Sequence, residues 1–169
     1  MLLHEIYSDQ ATHFHHTRKK SRPEMEYFVE TCKNLPPHAK LVDLGCGSGR
    51  VAPWLHDIRP DINYRGVDNA EGFIKLAKQE HSRETTQFLH DDMLSFLKQQ
   101  PQQSIDCIMA IASIQHLASI PERQEFFALA YRALEYGGSL CLVNWSYSER
   151  FLGKYRRQMI ASCYHRVLS

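Results

Sequence analysis

Three glycines at alternating positions follow an apolar stretch and an aspartate in Leu41-Val42-Asp43-Leu44-Gly45-Cys46-Gly47-Ser48-Gly49-Arg50. Glycine has no β-carbon, so Gly45, Gly47 and Gly49 let the backbone turn tightly and approach a ligand, while the amides of a following helix point at it. The spacing is G-x-G-x-G, with Arg50 where a dinucleotide loop would place its third glycine. Asp43 is poorly matched to a pyrophosphate and suits a cofactor carrying a positive amine or sulfonium. Asp68 lies about 20 residues beyond the last glycine, the spacing at which a strand-end acid accepts hydrogen bonds from both ribose hydroxyls. His90-Asp91-Asp92-Met93-Leu94 offers a carboxylate for an adenine amino group, with a backbone amide and an apolar side chain beside the ring. Either aspartate of that pair also suits a helix N-cap; we assign the cap to Asp91, and ligand roles to Asp68 and Asp92.

These groups need elements to hold them. Apolar runs predict strands over 40–44, 64–68, 86–89, 105–111 and 139–144. Helical spacing predicts helices over 48–57, with Pro53 in its first turn, over 70–80 and over 121–134, the last stopped by Gly137-Gly138. Ser21-Arg22-Pro23-Glu24 has capping-box form and opens an N-terminal helix carrying Met25, Phe28, Val29 and Cys32, which ends at Asn34-Leu35-Pro36-Pro37. Strands alternating with helices make an α/β domain with a parallel sheet and right-handed crossovers. Ligands then sit at the carboxyl ends of the strands, where Asp43 to Gly49, Asp68, Asp91 with Asp92, and Ser113 to His116 all fall.

Composition excludes several classes. The chain has 169 residues, 43% hydrophobic and 23% charged, values that argue for one packed domain and against disorder. Its longest apolar run, 107–114, is too short to cross a bilayer, and Met1-Leu2-Leu3-His4-Glu5 lacks a signal-peptide pattern, so a cytoplasmic protein without membrane contact is expected. Cys32, Cys46, Cys107, Cys141 and Cys163 form no C-x-x-C pair and read as reduced thiols; no metal site is expected. Net charge is +1, yet Arg18, Lys19, Lys20 and Arg22 cluster near the start and Arg150, Lys154, Arg156, Arg157 and Arg166 near the end. Two basic ends around an acidic middle fit an anionic substrate such as RNA, or two solvated helix faces.

Taken in order across 40–145, the glycine motif, Asp68, the Asp92-Met93 step, Asp106 opening the fourth strand and Gly137-Gly138 before the fifth resemble a class I S-adenosylmethionine-dependent methyltransferase. The resemblance implies a Rossmann-like sheet in order 3-2-1-4-5. It also implies that Asp43 and the backbone of Gly45, Cys46, Gly47 and Gly49 hold the methionine moiety. Asp68 with Asn69 would hold the ribose, Asp92 with the Met93 amide would read adenine, and Ala112 and Ser113 would close over the cofactor, which leaves as S-adenosylhomocysteine. A narrower likeness lies in Tyr7, Ala11, Phe14, Thr17, Arg18 and Lys20, which match the Y-x-x-x-A-x-x-F-x-x-T-R-x-K opening of tRNA wobble-uridine methyltransferases that esterify 5-carboxymethyluridine. Members of that family carry a histidine pair, E-R, G-G and a V-W strand end; here Gln115 replaces the first histidine before His116, and Asn144 interrupts Val143 and Trp145.

Methyl transfer from a sulfonium is an in-line displacement, and a carboxylate acceptor is already ionised, so no general base is required. His116 either orients the acceptor or takes a proton, or else is structural; it is the single catalytic candidate. Tyr7 either folds over the cofactor or packs, and Arg18 and Lys20 either meet substrate phosphate or carboxylate or form a solvated arm. We expect N-terminal lid helices over 1–36, a cofactor core over 37–145 and a C-terminal helix over 146–169, with the usual strands six and seven missing. The chain is then a fragment or a minimal variant, and its strand-five edge or C-terminal helix is a surface for a homo- or hetero-oligomeric partner. Alternatives to tRNA methylation are O- or N-methylation of an anionic small molecule, and an inactive cofactor-binding scaffold.

Overall fold

The computed structural model describes residues 23–146 and 158–165; the opening motif with Tyr7, Arg18 and Lys20 lies outside the described residues. Five parallel strands, β1 (Lys40–Leu44), β2 (Asn63–Asp68), β3 (Thr86–His90), β4 (Ile105–Ile111) and β5 (Leu134–Ser146), stand in the expected order 3-2-1-4-5. Strand periodicity sends alternate side chains to opposite faces. Leu41, Tyr64, Phe88, Met109 and Cys141 pack with α1 (Val29–Lys33), α2 (Val51–Ile58) and α3 (Glu71–His81). Val42, Leu44, Val67, Ile108 and Leu142 pack with α4 (Met93–Gln99) and α5 (Ile120–Ala133). Among the described residues no helix is long and apolar enough to cross a membrane.

The sheet also has a sixth strand, β6 (Gln158–His165), antiparallel to β5 from Ser146 opposite Gln158 to Ser139 opposite His165. The single C-terminal helix expected over 146–169 is therefore corrected, and so is the open strand-five edge offered to an oligomeric partner. An outer strand presents a row of unpaired amides and carbonyls, and satisfying that row outweighs the helical spacing of a few aromatic residues. The sheet edges are β3 and β6 instead.

Glycine conformation moves two other boundaries. α2 starts at Val51 rather than residue 48, because Gly49 keeps a φ of +76° that no right-handed helix admits. α5 ends at Ala133 and β5 begins at once, so Gly137-Gly138 does not stop the helix. The pair forms a bulge instead: Ile105 pairs with Leu134 while Cys107 pairs with Ser139, and Gly137 has φ +78°. The segment before α1 is a 3-10 turn (Pro23–Phe28) rather than helix.

Two arginines fasten the short helices. The Arg59 guanidinium donates to the carbonyls of Cys32 and Lys33 at the end of α1, to those of Leu35 and Pro36 just after it, and to both carboxylate oxygens of Asp61 at 2.8 Å. That contact raises the pKa of Arg59 and holds the Asp61 carboxyl well below the usual carboxylate range. Arg132 does the same for α4, donating to the carbonyls of Leu97, Lys98 and Gln100. Removing Arg59 leaves several carbonyls unanswered. Arg59→Ala is expected to cost about 2 kcal/mol, a fall in thermal midpoint of roughly 4–8 °C, with Arg59→Lys recovering only part because it lacks the planar fork. Thermal denaturation of the two variants checks this.

Candidate functional site

The three loop glycines adopt φ of +80°, +56° and +76°, each in the left-handed region. Their reasons differ. A β-carbon on Gly45 would overlap Ser113, in the loop after β4, and one on Gly49 would come within 2.6 Å of the Phe88 ring and 3.1 Å of Ala77. Among the described residues, a β-carbon on Gly47 would meet nothing within 4 Å. Gly45 and Gly49 thus let the loop pack on the protein, and Gly47 alone faces open space where a ligand can approach the backbone. Gly66 extends the same logic, since its β-carbon would press on Phe88 at 2.8 Å and on the Cys46 Sγ at 2.9 Å.

Asp68, at the end of β2, ties the loop down. Its Oδ2 accepts from the Gly47 amide at 2.8 Å and its Oδ1 from the Ala70 amide at 2.9 Å. Its own carbonyl accepts from the Asp91 amide at 3.1 Å. Burial raises the Asp68 pKa above the ordinary aspartate value, against the opposing pull of those two amides and of the His90 and His116 imidazoles. Asp43 is 1% exposed, and its Oδ2 accepts from the Tyr64 hydroxyl at 2.8 Å beneath the loop. Strand alternation places it on the Leu41 face. Burial first, then Asp68 and Asp43, pushes the Cys46 thiol well above its usual value, making it a neutral packing group.

At the next strand end the helix cap falls on the other aspartate of the pair than the one we expected. Asp92, not Asp91, is the N-cap of α4: its backbone is extended, and its Oδ1 accepts from Leu94 N at 2.9 Å and Ser95 N at 3.1 Å. Asp91 accepts from the Asp92 amide at 2.8 Å. A cap must sit immediately before the first helical residue, which here is Met93. The Asp92 Oδ2 carries no hydrogen bond among the described residues, so that oxygen still faces outward for a ligand. Asn69 is exposed beside it, its carbonyl 3.1 Å from His90 Nε2.

After β4, Ala112 holds φ +53°, a left-handed conformation rare for a residue with a β-carbon, and its amide donates to Val143 O at 2.7 Å. A short 3-10 turn, Ile114–His116, follows. The Glu122 and Arg123 pair of the sequence motif holds this loop: Glu122 completes a capping box with Ser119, while Arg123 Nε and Nη2 donate to Leu117 O at 3.1 and 3.0 Å. His116 is exposed at the rim; desolvation lowers its pKa and Asp68 pulls the other way.

Gly45 to Gly49, Asp68, Asn69, Asp92, Met93, Ala112, Ser113 and His116 therefore line one edge of the sheet, linked through Asp68 and the Gly45–Ser113 packing. Sequence reading missed Tyr64, the partner of Asp43, and Phe88, the wall behind two glycines; Gly66 inside a strand was the available signal. A separate cleft of about 400 Å³ lies at the opposite, amino-terminal edge near Glu30, Asp106, Glu135 and Tyr136, away from the strand ends where such sheets bind ligands.

A protein-family model described as "Methyltransferase domain" matches residues 41–138. The tRNA (carboxymethyluridine(34)-5-O)-methyltransferase of Schizosaccharomyces pombe is 27% identical over 148 residues, covering 88% of this chain and 59% of that protein. A trans-aconitate 2-methyltransferase of Escherichia coli is 30% identical over 138 residues, covering 80% of this chain and 51% of its own length. The chain thus spans between about half and three-fifths of these curated relatives. A SAM-dependent methyltransferase from Archaeoglobus fulgidus shares the fold, with TM-score 0.60 and 17% identity over 85% of this chain and 53% of that one. The family match runs from the first residues of β1 to the diglycine bulge of β5 and so encloses every strand end just described: the chain belongs to the methyltransferase-domain family, the class I fold whose cofactor is S-adenosylmethionine.

Proposed function

We propose that the chain binds S-adenosylmethionine at the glycine-loop edge and directs its methyl group to a carboxylate oxygen, that of a modified uridine at the tRNA wobble position. The observation that carries the cofactor half is the open space at Gly47 beside the Asp68 carboxylate. The residues fit the group. An ionised carboxylate has about four acceptor sites, so Asp68 can take both ribose hydroxyls while keeping the amides of Gly47 and Ala70. Asp92 Oδ2 and the Met93 amide suit the adenine edge, Asn69 flanks the ribose, and the Cys46 and Gly47 backbone faces the methionine end. Asp43 contributes negative potential from below, which favours a sulfonium and an ammonium. The family resemblance assigns a cofactor role to Tyr7 and a substrate role to Arg18 and Lys20, all outside the described residues.

The bound cofactor supplies an electrophilic methyl carbon. An acceptor carboxylate would bring no proton to remove, and its new C–O bond would form as the C–S bond gives its electron pair to sulfur. The protein's contribution is alignment and exclusion of water. His116, whose pKa desolvation lowers, serves as a hydrogen-bonding orienter of the acceptor, since a carboxylate brings no proton for a base to take. Two relatives support an acidic acceptor, since carboxymethyluridine and trans-aconitate both bear carboxylates. The second of them keeps a small carboxylic acid in view as an alternative acceptor.

Calorimetry with S-adenosylhomocysteine tests the cofactor site: Asp68→Ala is expected to weaken binding about 10- to 100-fold, the worth of a charge-assisted hydrogen bond, and unchanged affinity overturns the assignment. Because the folded pKa of Asp68 is raised, its protonation starts above the ordinary aspartate range, and the wild-type affinity should begin to fall at correspondingly higher pH on acidification. Asp68→Asn should flatten that acid limb. Finally, incubation with methyl-labelled cofactor and separate tRNA and metabolite pools is expected to label the tRNA in an alkali-labile ester; label confined to the metabolite pool would reject the tRNA reading.

A further inference from the structure

Among the described residues, three buried polar atoms at the ends of β4 and β5 have no hydrogen-bond partner: Ser113 Oγ, Gln115 Oε1 and Asn144 Oδ1. Ser113 is 4% exposed. Leaving such atoms unanswered costs free energy, and folded chains retain them where something outside the chain completes the bond. The three share one neighbourhood. Ser113 lies against Gly45 of the cofactor loop; Asn144 follows Val143, whose carbonyl holds the Ala112 amide; and the Ile114–His116 turn that carries Gln115 packs on β5. The left-handed φ of Ala112 aims this loop at the expense of backbone strain, as functional loops do. Neither 112–117 nor 142–145 contains an arginine or lysine, the residues that complement a bare polycarboxylate.

We propose that Gln115 and Asn144, with Ser113, line the methyl-acceptor pocket and set its specificity by reading an imide edge, an N–H between two carbonyls. A side-chain amide presents one acceptor beside one donor, the complement of that edge. The N–H of a uracil-type pyrimidine donates to one amide oxygen while its flanking carbonyls accept from an amide N–H and the Ser113 hydroxyl, whereas a free tricarboxylate offers acceptors alone and leaves both amide oxygens unpaired. The cofactor edge holds the methyl donor, the amides hold the base, and the carboxylate on the base is left to face the methyl carbon. This rests on the methyl-transfer reading above and adds to it which residues choose the acceptor. These are also the two positions at which the chain departs from the wobble-uridine motif, Gln115 for a histidine and Asn144 within the V-W strand end.

The test compares wild type, Gln115→Leu and Asn144→Leu on three acceptors: an anticodon stem-loop RNA bearing 5-carboxymethyluridine, the same RNA methylated at N3 of that base, and trans-aconitate. Wild type is expected to methylate the first, and each variant to raise its KM about tenfold or more. S-adenosylhomocysteine affinity should stay within about twofold, since the cofactor contacts are untouched. Asn144→Leu should melt at or above the wild-type temperature, because it deletes an unpaired buried acceptor. Asn144→Asp keeps the shape but loses the donor, and should raise KM likewise if the leucine variant fails to fold. Unchanged KM in these variants, equal use of the N3-methylated RNA, or preference for trans-aconitate overturns the proposal. Failure of wild type to bind S-adenosylhomocysteine overturns the cofactor reading instead, so the two failures are distinguishable.

Discussion

Asp68 takes the Gly47 amide on one carboxylate oxygen and the Ala70 amide on the other, at 2.8 and 2.9 Å. Through these bonds the end of β2 fixes the turn after β1 and the start of the connection to α3. The Asp91 amide on the Asp68 carbonyl extends the tie to β3. Burial makes the charge costly there, as its raised pKa records, and the glycine loop is what offsets it. A carboxylate already fixed by two backbone amides is pre-organised, so a diol ligand finds it in place and loses little entropy in meeting it.

The rest of the molecule keeps that tie in register. Phe88 from β3 fills the space that β-carbons on Gly49 and Gly66 would occupy and meets Tyr64 edge-on with centroids 5.8 Å apart. Tyr64 in turn donates to Asp43 Oδ2, so a buried acid, a phenol and a benzyl ring form the floor of the loop. The Arg59 and Arg132 clamps seal short helices on opposite faces of the sheet, and Arg123 pins the loop after β4 from the helix that follows it. In each case a guanidinium collects carbonyls that a short helix or loop leaves open.

Much of this was legible in the chain. Apolar runs marked the strands, and the alternation of strand and helix pointed to a parallel sheet whose order matches expectation. What failed had physical causes. Residues 158–165 carry a pattern compatible with a helix, yet lie beside an open strand edge whose unmet hydrogen bonds decide their state. Gly137-Gly138 looks like a helix stop and is a bulge, because β5 begins as soon as α5 ends. Asp91 and Asp92 are chemically equal in sequence, and only the first helical residue decides which one caps.

The sequence by itself determined the chemistry: alternating glycines, a strand-end acid at Asp68 and a second acid at Asp92 specify a nucleoside cofactor, because those residue types act through local backbone freedom and charge. Tertiary structure alone decided what each glycine answers to. Gly45 and Gly49 answer to Ser113 and Phe88, residues far along the chain, and Gly47 is left with open space among the described residues. It likewise decided that Asp43 is buried against Tyr64, and that Ser113, Gln115 and Asn144 fall at the ends of the adjacent strands β4 and β5. Those outcomes depend on which strands become neighbours, and a crossover connection brings together side chains that no local spacing relates.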